Sequence, residues 1–290
     1  MATKTLFSES EDLLNICWDN VFKAVFTKET RDSRLALSRL VSAIIGRELE
    51  ALNTTANEPA AENAWDRQVR FDINCRARDG ERVNVEMCLN PDDFEPVRLE
   101  FYSAKLFCGQ DIRGRDKTYD DLKRTYQIAI LVRKTFFPDG DFFHQFEYYD
   151  PDRSMPLGGR TRIFTLELSK LGEVAKKPAE KMSNAELLAV FFRYLTDPSM
   201  REKINEIAGL EEGIAMAGEV LLDISRDEDQ RAWLMSEYKG AVDLQSKLVN
   251  ERRKSLETVA RNALAEGASI DFIQRITALD AKTIESLQAR

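Results

Sequence analysis

Histidine is almost missing from this chain: His144 is the only one in 290 residues. It stands among aromatics in FFHQF, a setting for a packed or edge residue, and a single imidazole excludes the multi-histidine schemes of many nucleases and hydrolases. Cysteine is sparse as well. Cys17, Cys75, Cys88 and Cys108 form no CxxC pair and have no histidine at ligand spacing, which argues against structural zinc and against a disulfide framework. No apolar run approaches the roughly eighteen residues that a membrane span needs. The amino-terminal MATKTLFSESEDLL has neither an apolar signal region nor a cleavage site, so the expected location is the cytoplasm. Positive charge is short too: 42 Lys and Arg against 50 Asp and Glu leave a net charge of -8, which opposes tight nonspecific binding of nucleic acid by the surface as a whole. From Ala61 to Lys134 the two signs balance at fourteen each, so the acid surplus lies elsewhere.

What is present is the composition of a globular protein, 43% hydrophobic and 32% charged, long enough for one full core and a second smaller unit. Its most informative stretch is Val69–Cys88, VRFDINCRARDGERVNVEMC. Val69, Phe71, Ile73 and Cys75 alternate with Arg70, Asp72, Asn74 and Arg76, and Val83, Val85 and Met87 alternate with Arg82, Asn84, Glu86 and Cys88. That period of two on both sides of Asp79-Gly80 predicts a β-hairpin. The loop decides its chemistry, because a slip of one residue sends a side chain to the opposite face. A two-residue loop would separate Asp72 from Glu86. A three-residue loop over Arg78-Asp79-Gly80 pairs Ala77 with Glu81, places Asp72 across from Glu86, and uses glycine where a left-handed residue is required. The longer loop is expected. Two carboxylates so placed repel unless a cation lies between them, and a hard divalent ion such as Mg²⁺ takes one or two carboxylates while keeping several waters. The competing expectation is an exposed hairpin in which Asp72 and Glu86 pair with Arg70, Arg82 or their neighbours.

Along the chain, Trp18, Val21, Phe22, Val25 and Phe26 predict a first helix capped by Asp12 or Asn15, with Asp19 and Lys23 as an i,i+4 ion pair. A second helix is expected over Ser33–Leu49, and Ala51–Asn63 reads as a surface connection. Asn90–Pro96 is a loop, Val97–Gln110 a helix broken at Gly114, and TYQIAILV a buried central strand. FFHQFEYYD and TRIFTLELSK are two further strands. From Ser183 onward strand signals vanish, so a boundary is expected near Leu171–Met182, dividing residues 1–180 from an all-helical region over 181–290. Ser225 and Glu228 have capping-box spacing at the start of a long helix. Short helices over Ile270–Thr277 and Ile284–Gln288, the latter capped by Asp280, form a packing tail in preference to a helix-turn-helix reader, since no basic row marks a recognition helix.

Several of these segments together resemble the Rpn family of recombination-promoting nucleases and transposase-like proteins, within the PD-(D/E)XK superfamily. Asp19-Asn-Val-Phe22-Lys23 is similar to the family's D-x-x-F-K helix, and Phe71-Asp72-Ile73 and Asn84-Val-Glu86-Met-Cys88 to its two site strands. Arg98, Tyr102, Lys105, Gln110, Gly114, Tyr119 and Leu122 follow its R…Y-x-x-K…Q…G…Y-x-x-L order, and Ala260–Gly267 matches its A-R-x-x-L-x-x-G tail. The resemblance implies an α/β restriction-endonuclease-like core, a central mixed sheet flanked by helices, with a helical carboxy-terminal region that is a candidate surface for self-association or DNA contact. It implies Mg²⁺- or Mn²⁺-dependent cleavage of DNA in recombination, transposition or defence, and no membrane partner. Asp72, Glu86 and the main-chain carbonyl of Met87 would hold the metal, with Asp19 as an auxiliary acid. Gln110 and Tyr119 would orient water or phosphate, and Arg98 and Lys105 would contact the DNA backbone. Cys88 departs from the pattern, standing where the superfamily has Lys and this family usually Gln. A thiol is a weak donor, so the alternative is a relative that keeps the fold and binds nucleic acid, or regulates, without cutting.

Overall fold

A computed structural model of the chain describes residues 5–49, 52–55, 70–112 and 115–288. Val69, Gly114 and most of the 51–63 connection lie outside them. Helix α1 (Asp19–Thr27) buries Val21, Phe22, Val25 and Phe26; it starts at Asp19, with Trp18 rather than Asp12 or Asn15 in the capping position. Helix α2 (Arg31–Ile45) starts at Thr30, whose side chain accepts from the Ser33 amide, and stops at Gly46, left-handed at φ +77°. It ends four residues before the sequence pattern does, because glycine at that position closes the helix.

The strands follow: β1 (Asn53–Thr54), β2 (Ile73–Arg76) and β3 (Arg82–Cys88), then helix α3 (Glu95–Cys108), then β4 (Thr125–Leu131), β5 (Phe143–Phe146), a small ribbon of β6 (Tyr149–Asp150) with β7 (Met155–Pro156), and β8 (Thr161–Glu167). Among the described residues they make one six-stranded mixed sheet in the order β1-β2-β3-β4-β8-β5. β3, β4 and β8 run parallel, and the outer pairings are antiparallel. Every residue of β4 is buried, as an apolar strand in a sheet covered on both faces must be.

Register fixes the faces. Asn84, Glu86 and Cys88 pair with Gln127, Ala129 and Leu131 of β4, which pair in turn with Ile163, Thr165 and Glu167 of β8. This is the face covered by α3, the crossover between β3 and β4: Leu99 packs with Cys88, Ala129 and Leu131. Helices α4 (Asn184–Tyr194), α5 (Arg201–Leu210) and α6 (Glu212–Arg226) form a second layer with α1 and α2. Phe192 packs edge-on to Phe22 and Phe26 at 6.0 and 6.2 Å. Gly213 lets α6 approach α2 closely, since a Cβ there would lie 2.2 Å from Cβ of Arg39.

The compact unit built this way runs from Met1 to Arg231. The composition shift near residue 180 is therefore a change of secondary structure inside it: the apolar faces of α1 and α2 are covered by α4 and α6. The second unit is Ala232–Arg290, which the long helix α7 (Glu228–Ala265) enters. The side chain of Asp227, not Ser225, accepts from the Gln230 amide at the start of α7, and Ser225 Oγ accepts the amide of Leu14 instead. Helices α8 (Ile270–Thr277) and α9 (Ala281–Gln288) fold against the end of α7 around Ala260, Ile273 and Ile284, and Asp280 accepts from the Thr283 amide. Among the described residues no helix is long and apolar enough to cross a membrane.

Candidate active site

The hairpin has the three-residue loop. Ala77 N–H donates to Glu81 O at 2.9 Å, Gly80 N–H donates to Ala77 O at 2.9 Å, and Gly80 sits at φ +90°. Ile73 pairs with Val85 and Cys75 with Val83, so one further step brings Asp72 opposite Glu86. β2 begins only at Ile73, which leaves Asp72 just outside the ladder. Its carboxylate there accepts the Met87 amide at 3.0 Å, and its own amide donates to Glu86 Oε1 at 3.2 Å.

Glu86 is 4% exposed and, among the described residues, pairs with neither Arg70 nor Arg82. Asn84 Nδ2 donates to it at 2.8 Å and also to Gln127 Oε1 at 2.9 Å across the parallel strands. Burial, and then the charge of Asp72, push the Glu86 carboxyl up to about 8. Asp72 is raised by burial and by Asp19, with Lys23 pulling the other way.

Lys23 is the cation between Asp19 and Asp72. One turn of α1 places it over Asp19, at 2.8 Å, and its ammonium also reaches Asp72 Oδ1 at 2.9 Å. Burial works against its charge, but the attraction of Asp72 and Asp19 outweighs this and leaves its pKa raised. On the other side α3 supplies Glu95, buried, and Arg98, which donates to Glu95 Oε1 at 2.7 Å and to Cys88 Sγ at 3.3 Å. The Cys88 thiol donates to Glu95 at 3.4 Å; burial and that carboxylate hold it protonated, well above the usual thiol range. Arg98 also lies over the ring of Tyr102, at 5.7 Å, and Tyr102 packs edge-on to Phe71.

Asp19, Asp72, Glu86, Cys88, the Met87 peptide and Arg98 thus come together. Gln110 does not join them. Both ends of its amide hold the main chain of Lys123, at 2.7 and 2.9 Å, beside Arg82 and about 13 Å along β3 from Glu86. Tyr119 is 81% exposed on a 3-10 turn beyond. Lys105 lies on the flank of α3 that carries Arg98 and Tyr102, two turns on, with its ammonium over the Phe101 ring. Lys23, Glu95, Asn84 and Gln127 belong to the cluster but were not singled out in the sequence. Lys23 and Asn84 had a signal, in the D-x-x-F-K helix and the Asn84–Cys88 strand segment, but the spacing of Lys23 from Asp19 suggested no more than an i,i+4 ion pair, and Glu95 and Gln127 had none.

The residues from 17 to 251 match the family model described as PD-(D/E)XK nuclease family transposase. The chain belongs to that family. No curated protein and no solved structure matches it. The sheet and its covering helices are the restriction-endonuclease-like α/β fold, and the family is one of nucleases that in general depend on a divalent metal.

The family chemistry can be tested against the side chains present. Among the described residues no three His, Cys, Asp or Glu side chains surround one point as a metal cage. Two carboxylates are sufficient for an ion that keeps most of its waters. Asp19, Asp72, Glu86 and Glu95, set against Lys23 and Arg98, carry a net charge of -2 when ionised, the complement of one divalent cation. The cluster fits such an ion.

Proposed function

We propose that the chain is a metal-dependent DNA endonuclease that hydrolyses phosphodiesters, in the cytoplasm, in recombination, transposition or defence. The observation that supports this most directly is the Asp72–Glu86 pair, Glu86 buried and Asp72 partly so, held opposite one another by the hairpin register and carrying a carboxyl raised to about 8. Carboxyls raised by burial and by a like charge cluster at functional sites. Asp72, Glu86 and the Met87 carbonyl would hold Mg²⁺ or Mn²⁺, which when bound polarises the phosphodiester and lowers the pKa of a water. The rest is done by the protein. Lys23 and Arg98 supply the positive charge that Cys88 does not, one on each side of the acid pair, and attract the phosphate while neutralising charge that develops on it. Asp19 keeps Lys23 charged and in place. Lys105, farther along α3, extends the basic flank towards the DNA backbone.

Plasmid nicking in Mg²⁺ or Mn²⁺ tests this reading. Asp72→Ala and Glu86→Ala should each lower the rate on the order of a hundredfold or more, as loss of a transition-state contact does, while binding of DNA persists. Unchanged cutting by both variants would remove the site.

A second reading, a relative that binds DNA without cutting, rests on Cys88 as a neutral thiol. It predicts retention of DNA without nicking by the parent protein, and recovery of nicking in Cys88→Lys or Cys88→Gln.

A further inference from the structure

On the face of the sheet opposite the acid pair, four arginines surround one cavity of about 180 Å³. Tyr126 alternates with Gln127 along β4 and is paired in register with Arg162 of β8, so both belong to the face that Glu86 does not. Arg124 and Arg160 enter from the residues just before these two strands, and Arg47 from just beyond α2.

The guanidinium groups are not equally satisfied. Arg162 is fixed in place: it pairs with Glu147 at 2.6 Å and donates to the carbonyls of Gly159 and Thr161, both at 3.2 Å. Arg47 pairs with Glu81, donates to the Tyr126 hydroxyl at 2.8 Å and lies over its ring. Among the described residues Arg160 pairs with Asp120 alone, at 3.7 Å, and that carboxylate is fully exposed to solvent; such a pair holds little. Among the described residues Arg124 has no carboxylate partner. The cavity therefore keeps excess positive charge in a protein whose net charge is -8. Like charges gathered around one cavity repel one another, and four arginines line this one. Two arginines are already ordered by protein contacts, so an anion entering between them need not immobilise them.

We infer that this cavity binds a phosphate group, carried by a free nucleotide or by a strand of nucleic acid. A carboxylate has two oxygens and satisfies one guanidinium fork; a phosphate presents more oxygens and can accept from several forks at once. The site is separate from the acid pair and does not depend on the nuclease reading.

Isothermal titration of the full chain with inorganic phosphate, at constant ionic strength made up with chloride, measures it. Saturable binding is expected, weakened about tenfold or more in Arg124→Gln, and abolished in Arg124→Glu/Arg160→Glu, since each lost contact is a charged hydrogen bond. Arg124 is exposed, so the single variant remains informative if the double one fails to fold. Asp72→Asn and Glu86→Gln should bind phosphate as the parent does, whatever their effect on nicking. Displacement of phosphate by deoxyadenosine monophosphate but not by a twelve-nucleotide single strand assigns the site to a free ligand; displacement by the strand assigns it to nucleic acid, and either supports the site. No saturation at millimolar phosphate, equal affinity in Arg124→Gln, or equal displacement by acetate would overturn it.

Discussion

Burial and charge are in conflict at Glu86. An exposed glutamate ionises near 4.5, and this one is pushed up to about 8, first by burial and then by Asp72. Between those values the folded protein holds a proton that the unfolded chain has released, so without divalent metal stability should fall as pH rises from about 4.5 to about 8 and level off above. Melting temperatures in a chelating buffer check this. Glu86→Gln should flatten the slope and be the more stable protein at pH 8. Because a bound cation requires the ionised form, added Mg²⁺ or Mn²⁺ should stabilise the parent increasingly up to about pH 8 and Glu86→Gln hardly at all. The opposition of Asp72 and Glu86 was legible from Gly80 and the two-residue period. The position of Lys23 was not: a helix shows which residues share its flank, but not which strand end that flank will meet.

At the scale of elements, the hairpin loop carries the site. Gly80 at φ +90° is tolerated because it lacks a side chain, and a Cβ there would meet two flexible side chains, Lys123 at 3.2 Å and Arg76 at 3.6 Å. Gly80→Ala should therefore cost about 1–2 kcal/mol, mostly from the left-handed backbone, measurable as a lower denaturant midpoint with an unchanged slope. If the loop shortens instead, Asp72 and Glu86 part and nicking is lost out of proportion to stability. Strand and helix positions followed from periodicity because each needs only neighbouring residues. The Asn84–Gln127 bond did not, since it joins parallel strands on either side of α3 and nothing local records such a pairing. Gln110 shows the converse. Its place in the motif order suggested chemistry, yet its amide holds the chain that leads into β4.

At the scale of the molecule, the shift in composition after residue 180 marked where strands end and not where the compact unit ends. A helical layer is required over α1 and α2, whose apolar faces the sequence displayed without displaying their partners. In the second unit, Leu244 and Leu248 lie one turn apart on α7, 60% and 64% exposed. We propose that this stretch joins two copies of the chain. Sedimentation at micromolar concentration should show a species larger than a monomer, and Leu244→Glu/Leu248→Glu should return it to the monomer. A monomeric parent chain would remove the proposal.

The strand β2 stops one residue short of Asp72, and this gives the acid pair two unlike jaws. Glu86 is clamped between neighbours in the interior of the sheet and cannot shift without disturbing them. Asp72 lies outside the ladder, its carboxylate meeting Lys23 and the Met87 amide, so it can move while every rung of the ladder stays closed. Ions of unequal radius would then be gripped by the yielding jaw closing to a different width, which is how one rigid framework could work with either magnesium or manganese.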